Sequence, residues 1–205
     1  MELYKTKNRN IHRPLHIYSG HCYFLTARCY KGFKYFRGGR KKILKTKIGE
    51  LSKDMDIGIL SWVVLDNHYH LLFLLKHPEG TTSASSSDGK LAFAIPYDKR
   101  REKLTCFVRR LHSITSKEIN RLDRTPGRKI WYQYWDYCIR DKRDFWTHFN
   151  YILKNPIKHG LVGSLIESFR YEYSSNPIWL GRFGLDGIYE GFIRYPVREV
   201  VVFCL

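Results

Sequence analysis

ILSWVVLDNHYHLLFLL, residues 59–75, is the most informative stretch of this sequence. Its β-branched, aromatic and aliphatic residues predict a strand. Side chains two positions apart in a strand share one face, so His68 and His70 are expected to project side by side from a rigid support. Burying two imidazoles costs free energy unless both are satisfied. A bound metal ion or ordinary hydrogen bonds in the core would each satisfy them, and the stretch alone leaves both possibilities open.

The length and composition predict a single folded domain. The chain has 205 residues, of which 43% are hydrophobic and 16% aromatic, enough for one core. We place the domain at residues 1–180, with a basic N-terminal arm at 1–16 and a flexible, Ser-rich insertion at 78–90. Residues 181–205 are expected to form a C-terminal tail with one short strand, and the sequence gives this tail no role.

The charge of the chain predicts a polyanionic partner. Thirty-six Lys and Arg residues against 19 Asp and Glu residues give a formal net charge of +17. Such an excess, with basic residues interleaved with aromatic ones, favours nucleic acid. An anionic membrane surface is the alternative, but no lipidation motif supports it and no apolar run is long enough to span a bilayer. The N-terminus lacks the apolar core of a secretory signal, so we expect a cytoplasmic, nucleoid-associated protein.

The cysteines argue against two classes of small domain. The chain has five of them, scattered and without a C-x-x-C pair. This pattern excludes a zinc finger and a disulfide framework, and it suits a reducing compartment.

Helical and strand patterns alternate along the chain. Strands are predicted at 17–30, 59–75 and 131–140, and helices at 41–55 and 99–122. A further helix should begin near Asp141 or Asp144 and run to about Asn155, because Pro156 disfavours helical geometry in the residue before it and ends or kinks the helix there. The alternation predicts an α+β fold with helices packed on one sheet.

The last predicted helix carries a second pair of candidate residues. Tyr151 and Asn155 are four apart and therefore share one helix face. Asn155 offers a carbonyl oxygen as a third metal ligand beside two imidazoles. Tyr151 offers a hydroxyl that could attack a phosphate if a nearby cation assists it. A packing tyrosine and a helix-ending Asn-Pro pair are the simpler interpretation of the same residues.

Several motifs together resemble a known family. They are DNHYHLL at 66–72, WYQYWD at 131–136 followed by CIRD at 138–141, YILKNPIKHGLV at 151–162, and YSS at 173–175. Their order and sequence resemble the single-tyrosine transposases of the HUH superfamily, in particular the IS200-like group and, within it, the REP-associated tyrosine transposases. The resemblance extends over about residues 16–176.

The resemblance implies a fold and a set of site residues. The fold would be ferredoxin-like or RRM-like, with a central antiparallel sheet. His68, His70 and Asn155 would bind a divalent metal, Mg²⁺ or Mn²⁺, and Tyr151 would be the nucleophile that forms a 5′-phosphotyrosine. Imidazole ligands alone would favour Zn²⁺, Mn²⁺ or Fe²⁺, so the metal identity depends on the resemblance. The partner would be single-stranded DNA beside a REP-like hairpin, bound by a monomer or a homodimer.

The sequence departs from the family pattern at two positions. Asp66 stands where relatives usually carry proline, and on a continuous strand it would share the face of His68 and His70. It could then orient a ligand by accepting a hydrogen bond, although a solvent-facing strand residue is the alternative. Tyr69 replaces an aliphatic residue and should point to the other face, with little effect.

Basic residues in the arm, loops and helices are candidate DNA contacts. They are Arg13, Arg40, Lys41, Arg109, Arg110, Lys154 and Lys158. Aromatic residues at 131–135 could stack on unpaired bases, although half of them must face the core of a strand.

Three functions are compatible with these patterns. The first is a metal-dependent enzyme that nicks single-stranded DNA near a hairpin through Tyr151 and can rejoin it. The second is a catalytically silent or domesticated hairpin-binding protein on the same scaffold. The third is a metallohydrolase, a class that usually has further His and Asp ligands at short spacing, and none follow His70.

Overall fold

The computed structural model describes residues 22–75 and 97–197, with side chains in α2 described from residue 102 onward. The basic arm at 1–16, including Arg13, lies outside the described residues. So do the first residues of the predicted strand at 17–30, the insertion at 78–90, and the end of the predicted tail at 198–205.

Four antiparallel strands form the central sheet. They are β1 (Cys22–Cys29), β2 (Ile57–Val64), β3 (His68–Leu75) and β4 (Trp131–Cys138), in the order β2-β3-β1-β4. Helix α1 (Lys41–Asp54) connects β1 to β2, and α2 (Tyr97–Leu122) lies between β3 and β4. This β-α-β-β-α-β order is the ferredoxin-like arrangement. The predicted α+β class and central antiparallel sheet are therefore confirmed.

Three further helices follow the last strand: α3 (Lys142–Lys158), α4 (Leu165–Phe169) and α5 (Asn176–Arg194). Helices α1 and α2 contribute to the hydrophobic cluster on one face of the sheet, and α3, α4 and α5 to the cluster on the other face. Strand β3 is therefore buried on both sides, with Tyr69, Leu71 and Phe73 on the α1–α2 face and Leu72 on the α3 face. This two-sided burial explains why residues 68–75 form a continuous apolar run rather than an alternating pattern.

The stretch at 59–75 forms a hairpin, and the prediction of one continuous strand is wrong. Strand β2 ends at Val64 and β3 begins at His68, and the amide of Leu65 donates to the carbonyl of His68 at 2.9 Å across the turn. Asp66 and Asn67 occupy the turn, where their short polar side chains are favoured. His68 and His70 still share a face, because both belong to β3.

Helix α3 begins as predicted but continues past Pro156. The Asp141 carboxylate accepts a hydrogen bond from the Asp144 amide at 2.8 Å and so caps the start. Pro156 removes one amide donor near the end, but the helix continues to Lys158. The chain leaves the helix at Gly160, whose φ of +64° is the left-handed conformation that glycine adopts readily. The helix was predicted to run to about Asn155, and it extends three residues further, without the hydrogen bond that an amide at position 156 would donate.

Residues 181–194 are helical, so the prediction of a tail with a strand is wrong in this part. Helix α5 crosses position 180 and bends at Gly184, whose φ is +66°. The Asn150 side chain donates to the Gly191 carbonyl at 2.9 Å and to the Tyr195 carbonyl at 2.8 Å, and Ile188 is buried. These contacts attach α5 to α3, so the helix is part of the core.

A buried polar group lies on the α1–α2 face of the sheet. The Tyr69 hydroxyl shares a hydrogen bond of 3.0 Å with His112 Nε2, and the His112 ring stacks on Trp131 at 4.3 Å. The Trp131 indole donates to the Thr115 hydroxyl at 2.9 Å. Tyr69 thus points away from His68 and His70, as expected, but it is a hydrogen-bonded core residue.

The burial of His112 predicts an acid-sensitive fold. Burial lowers the pKa of His112 from 6.5 to about 3. Between these values the unfolded chain binds a proton that the folded protein does not, so the free energy of unfolding falls as the pH drops from about 6.5 towards 3. We expect His112→Gln to reduce this slope by about one proton, or about 1.4 kcal/mol per pH unit. Urea titrations of both proteins across this range measure it, and equal slopes would contradict the prediction.

Candidate active site

The structure brings His68, His70, Tyr151 and Asn155 together. Helix α3 packs over β2 and β3 on the face that carries both histidines. The ring centres of His68 and His70 are 5.0 Å apart, and those of His70 and Tyr151 are 5.1 Å apart. Tyr151 is 2% exposed and Asn155 is fully buried. The shared helix face inferred from the i and i+4 spacing is therefore directed at the histidine pair.

Hydrogen bonds fix the tautomer of His68. The Asn67 amide nitrogen donates to the Gly32 carbonyl at 3.0 Å, so the Asn67 carbonyl oxygen is the atom that faces His68 Nδ1 at 2.7 Å. A carbonyl oxygen only accepts, so His68 Nδ1 carries the proton. Burial, aided by nearby positive groups, lowers the pKa of His68 to about 3. The neutral ring therefore presents the lone pair of Nε2 to the site.

His70 is held in a similar way from the neighbouring strand. Its Nδ1 shares a hydrogen bond of 2.8 Å with the Thr26 hydroxyl, and its ring stacks on Phe24 at 5.5 Å. Burial lowers the pKa of His70 well below its ordinary value, and the positive groups around it act in the same direction. The imidazole is neutral near pH 7, with Nε2 directed away from Thr26.

Three buried polar atoms at this point have no hydrogen-bond partner: His68 Nε2, His70 Nε2 and Asn155 Oδ1. The Asn155 amide nitrogen donates to the Tyr151 carbonyl at 3.3 Å, which leaves its carbonyl oxygen for another partner. Asn155 also lies close enough to His68 to raise the pKa of that histidine, against the larger effect of burial. Buried polar atoms without partners are costly, and a cation would satisfy all three.

The donor set fits a divalent metal ion. Neutral imidazole nitrogen is a frequent metal ligand, and an amide oxygen suits the harder divalent ions. Within residues 22–75 and 97–197, no group of three His, Cys, Asp or Glu side chains is arranged to hold a metal. A third protein ligand from this part of the chain would therefore be of another residue type, and Asn155 offers a buried amide oxygen.

The charges around the site are positive. Lys158 Nζ lies 4.8 Å from the centre of the Tyr151 ring, and Arg28 is paired with His68 across the β1–β3 ladder. His159 is exposed, but its ring centre lies 4.5 Å from that of His68. After burial, Lys158 lowers the pKa of both histidines, and Arg28 adds to it at His68. Such surroundings attract an anionic group such as a phosphate.

Asp66 does not have the position that we predicted. It lies in the turn before β3, where strand alternation does not apply, and its carboxylate pairs with Lys41 at 2.6 Å and Arg37 at 3.9 Å. Lys41 is itself buried, so the pair anchors the start of α1 to the hairpin turn. In this structure the Asp66 carboxylate is held by Lys41, and the ligand-orienting role of Asp66 and the DNA contact of Lys41 stay predictions.

The other candidate DNA contacts are spread over the molecule. Arg40 pairs with Asp123 at 2.6 Å, and Arg110 pairs with Asp54 at 2.7 Å. Arg109 is exposed on α2, the helix on the far face of the sheet from His68 and His70. Only Lys154 and Lys158, both exposed on α3, lie on the helix that carries Tyr151.

Sequence reasoning missed Arg28, Thr26 and Asn67 as part of this site. Arg28 and Thr26 are reached through the pairing of β1 with β3, and Asn67 through the hairpin turn. The turn residue Asn67 was visible in the sequence as part of an Asp-Asn pair. Strand pairing has no local signal, so Arg28 and Thr26 could not have been found.

The hydrogen bond between Thr26 and His70 predicts a measurable effect on metal binding. Partners that hold the non-ligating nitrogen of a histidine typically contribute about 10-fold to 100-fold to metal affinity. We expect Thr26→Val to weaken Mn²⁺ binding by about that factor. Isothermal titration calorimetry measures it. Thr115→Val is the matched control, because Thr115 is equally buried on the other face of the sheet, and equal losses in both variants would contradict the prediction.

Comparisons with known proteins agree with the fold and with the resemblance. No protein-family model matches the chain. A REP-associated tyrosine transposase of Escherichia coli K12 is 27% identical over 122 residues, which are 59% of this chain and 57% of that protein. A putative REP-associated tyrosine transposase of Haemophilus influenzae is 33% identical over 100 residues, 48% of this chain and 49% of that protein.

A solved structure of a REP-associated tyrosine transposase bound to a REP hairpin superposes with a TM-score of 0.56 at 20% identity. The match covers 92% of this chain and 93% of that one, and it shows a shared fold. The chain spans about half the length of the curated relatives that it matches. The resemblance to REP-associated tyrosine transposases is thus confirmed by relatives and by fold.

Proposed function

We propose that this protein is a transposase-like enzyme that binds hairpin DNA, nicks an adjacent single strand through Tyr151, and can rejoin it. One observation carries the proposal: His68 Nε2, His70 Nε2 and Asn155 Oδ1 are buried polar atoms without partners, on residues that surround Tyr151. A core histidine pair with ordinary hydrogen bonds would not leave three polar atoms unsatisfied beside one tyrosine.

The nucleophile in this proposal is the Tyr151 hydroxyl. Its oxygen forms a new bond to a backbone phosphorus, and the bond from that phosphorus to the 3′ oxygen breaks. The tyrosine gives up its proton, and the departing oxygen takes one up as a 3′ hydroxyl. Attack by a 3′ hydroxyl on the 5′-phosphotyrosine reverses the exchange, so the strand can be rejoined without ATP.

His68, His70 and Asn155 would hold the metal. A divalent ion there would polarise the phosphoryl oxygens and neutralise developing charge. By resemblance we expect Mg²⁺ or Mn²⁺, and the two imidazole donors favour Mn²⁺ of these two. Lys158 lies over the Tyr151 ring and is exposed, so its ammonium can move to a phosphate that enters the site.

The proposed substrate is single-stranded DNA beside a hairpin. The net charge of +17 and the positive surroundings of the site favour a polyanion. The curated relatives are named for REP elements, and the solved structure with the same fold is bound to a REP hairpin. No described helix is long and apolar enough to cross a membrane.

A denaturing gel tests the proposal. Wild-type protein is incubated with end-labelled hairpin DNA that carries single-stranded flanks, with Mn²⁺ or Mg²⁺ and with EDTA. A slowly migrating, SDS-resistant adduct that needs the metal is the expected result. Binding of a panel of hairpins without any adduct would favour the catalytically silent binding protein, and metal-dependent cleavage without an adduct would favour a hydrolase.

A further inference from the structure

The face of the sheet that carries His68 and His70 continues beyond them towards β4. In the strand register, Arg28 pairs with His68 on one side and with Gln133 on the other. Thr26 pairs in the same way with His70 and with Trp135. Directly paired residues point to the same face, and the hydrogen bond between Thr26 and His70 confirms this for one pair.

This part of the face is less covered than the site itself. Among the described helices, α3 packs mainly over β2 and β3, and it reaches the edge strand β4 at Tyr137, whose ring stacks on His148 at 5.0 Å. Arg28, Gln133 and Trp135 are each partly exposed, whereas His68 and His70 are buried. A ligand that reaches the histidine pair can therefore extend over β1 and β4.

The Arg28 guanidinium lies on the rim of the site. A β-carbon added to Gly32 would come within 3.1 Å of Arg28 Nη2 and 3.8 Å of the Asn67 amide nitrogen. Arg28 is thus placed beside the turn that positions His68.

We propose that Arg28 and Trp135 form a seat for the nucleotide next to the phosphate that Tyr151 attacks. The Arg28 guanidinium contacts a phosphate, for which its planar array of donors is suited, and the Trp135 indole stacks on a base. The proposal rests on the proposed function for its choice of ligand, and the positive charge of Arg28 and the continuity with the histidine face support single-stranded DNA.

Binding of plain single-stranded DNA tests the seat without metal and without cleavage. In a Tyr151→Phe background, a fluorescent oligothymidine of about twelve nucleotides is titrated by anisotropy at several salt concentrations, because aromatic stacking tolerates any base. We expect Trp135→Ala to weaken binding about tenfold and Trp135→Phe to restore most of it. We expect Arg28→Ala to weaken binding and to reduce the slope of log K against log salt by about 0.7, the value for one phosphate contact on a single strand.

Two matched control variants test whether the loss of any aromatic ring or any positive charge would weaken binding equally. Tyr134→Ala removes a partly exposed ring from the same strand but from the other face, where Tyr134 packs against the α1–α2 cluster. Lys53→Ala removes one exposed positive charge from the last turn of α1. Both should bind the oligonucleotide as the background protein does.

The seat is overturned if Trp135→Ala binds normally, or if Tyr134→Ala loses as much affinity. The adduct assay and the binding assay together distinguish failure of the seat from failure of the proposed function. If wild-type protein forms a metal-dependent adduct while Trp135→Ala binds oligothymidine normally, only the seat is wrong. If no adduct forms but Trp135→Ala and Arg28→Ala lose affinity as described, the seat is right and strand cleavage is wrong.

Discussion

Replacing Tyr151 with phenylalanine is expected to abolish the covalent adduct and lower strand cleavage at least about 10³-fold. The substitution removes one oxygen and keeps the ring, which packs in an edge-to-face contact with His70 at 5.1 Å and beside Phe24 at 5.9 Å. The fold and the metal site should therefore persist. Single-turnover cleavage of labelled hairpin DNA in Mn²⁺ measures the rate, and filter binding measures affinity for the hairpin.

Tyr189→Phe is the control for this experiment, because it removes a hydroxyl from a partly exposed ring on α5. It should cleave as wild type does. Hairpin affinity should stay within about threefold of wild type in both variants, since the hydroxyl acts in the chemical step. Cleavage that persists in Tyr151→Phe would mean that water or another residue attacks the phosphate.

Replacing His70 with alanine is expected to remove the stabilisation that a metal ion gives to the folded protein. In wild type, Mn²⁺ at a concentration of about 100 times its Kd should raise the free energy of unfolding by about 2.7 kcal/mol. His70→Ala loses one of the three buried polar atoms without partners, so this increase should disappear, and cleavage should be lost with it. Thermal unfolding with and without Mn²⁺ measures the first effect.

His112→Ala distinguishes ligand loss from general damage. His112 is a buried histidine on the other face of the sheet, hydrogen-bonded to Tyr69 and stacked on Trp131. Its replacement should lower stability but leave the increase caused by Mn²⁺. If Mn²⁺ stabilises His70→Ala as much as it stabilises His112→Ala, His70 is an ordinary core histidine and the metal site is wrong.

Much of this fold could be predicted from local patterns. Helices α1 and α2 and the start of α3 lie where apolar spacing and the Asp141 cap predict them. Two element boundaries were predicted at the wrong residues because turn-forming and helix-breaking residues were misjudged. The turn at Asp66 and Asn67 was hidden inside an apolar run, and Pro156 was expected to end a helix that in fact tolerates proline in its last turn.

In the candidate site, too, contacts within one element could be predicted from the sequence and contacts between elements could not. His68 with His70, and Tyr151 with Asn155, are pairs within one element, so their spacing alone places each pair on one face. That the two pairs meet follows from tertiary packing, which the family resemblance implied and the structure shows. Thr26, Arg28 and Trp135 enter only through strand register, and the pairing of Asp66 with Lys41 depends on where α1 starts. No local pattern reports such contacts.

The most direct measurement is peptide mapping of the covalent adduct. Wild-type protein is incubated with hairpin DNA and Mn²⁺, the DNA is trimmed with nuclease and the protein is digested, and the modified peptide is identified by tandem mass spectrometry. We predict a nucleotide attached through its 5′ phosphate to Tyr151, absent when EDTA replaces the metal. A nucleotide on a different residue, or the same adduct in EDTA, would contradict it.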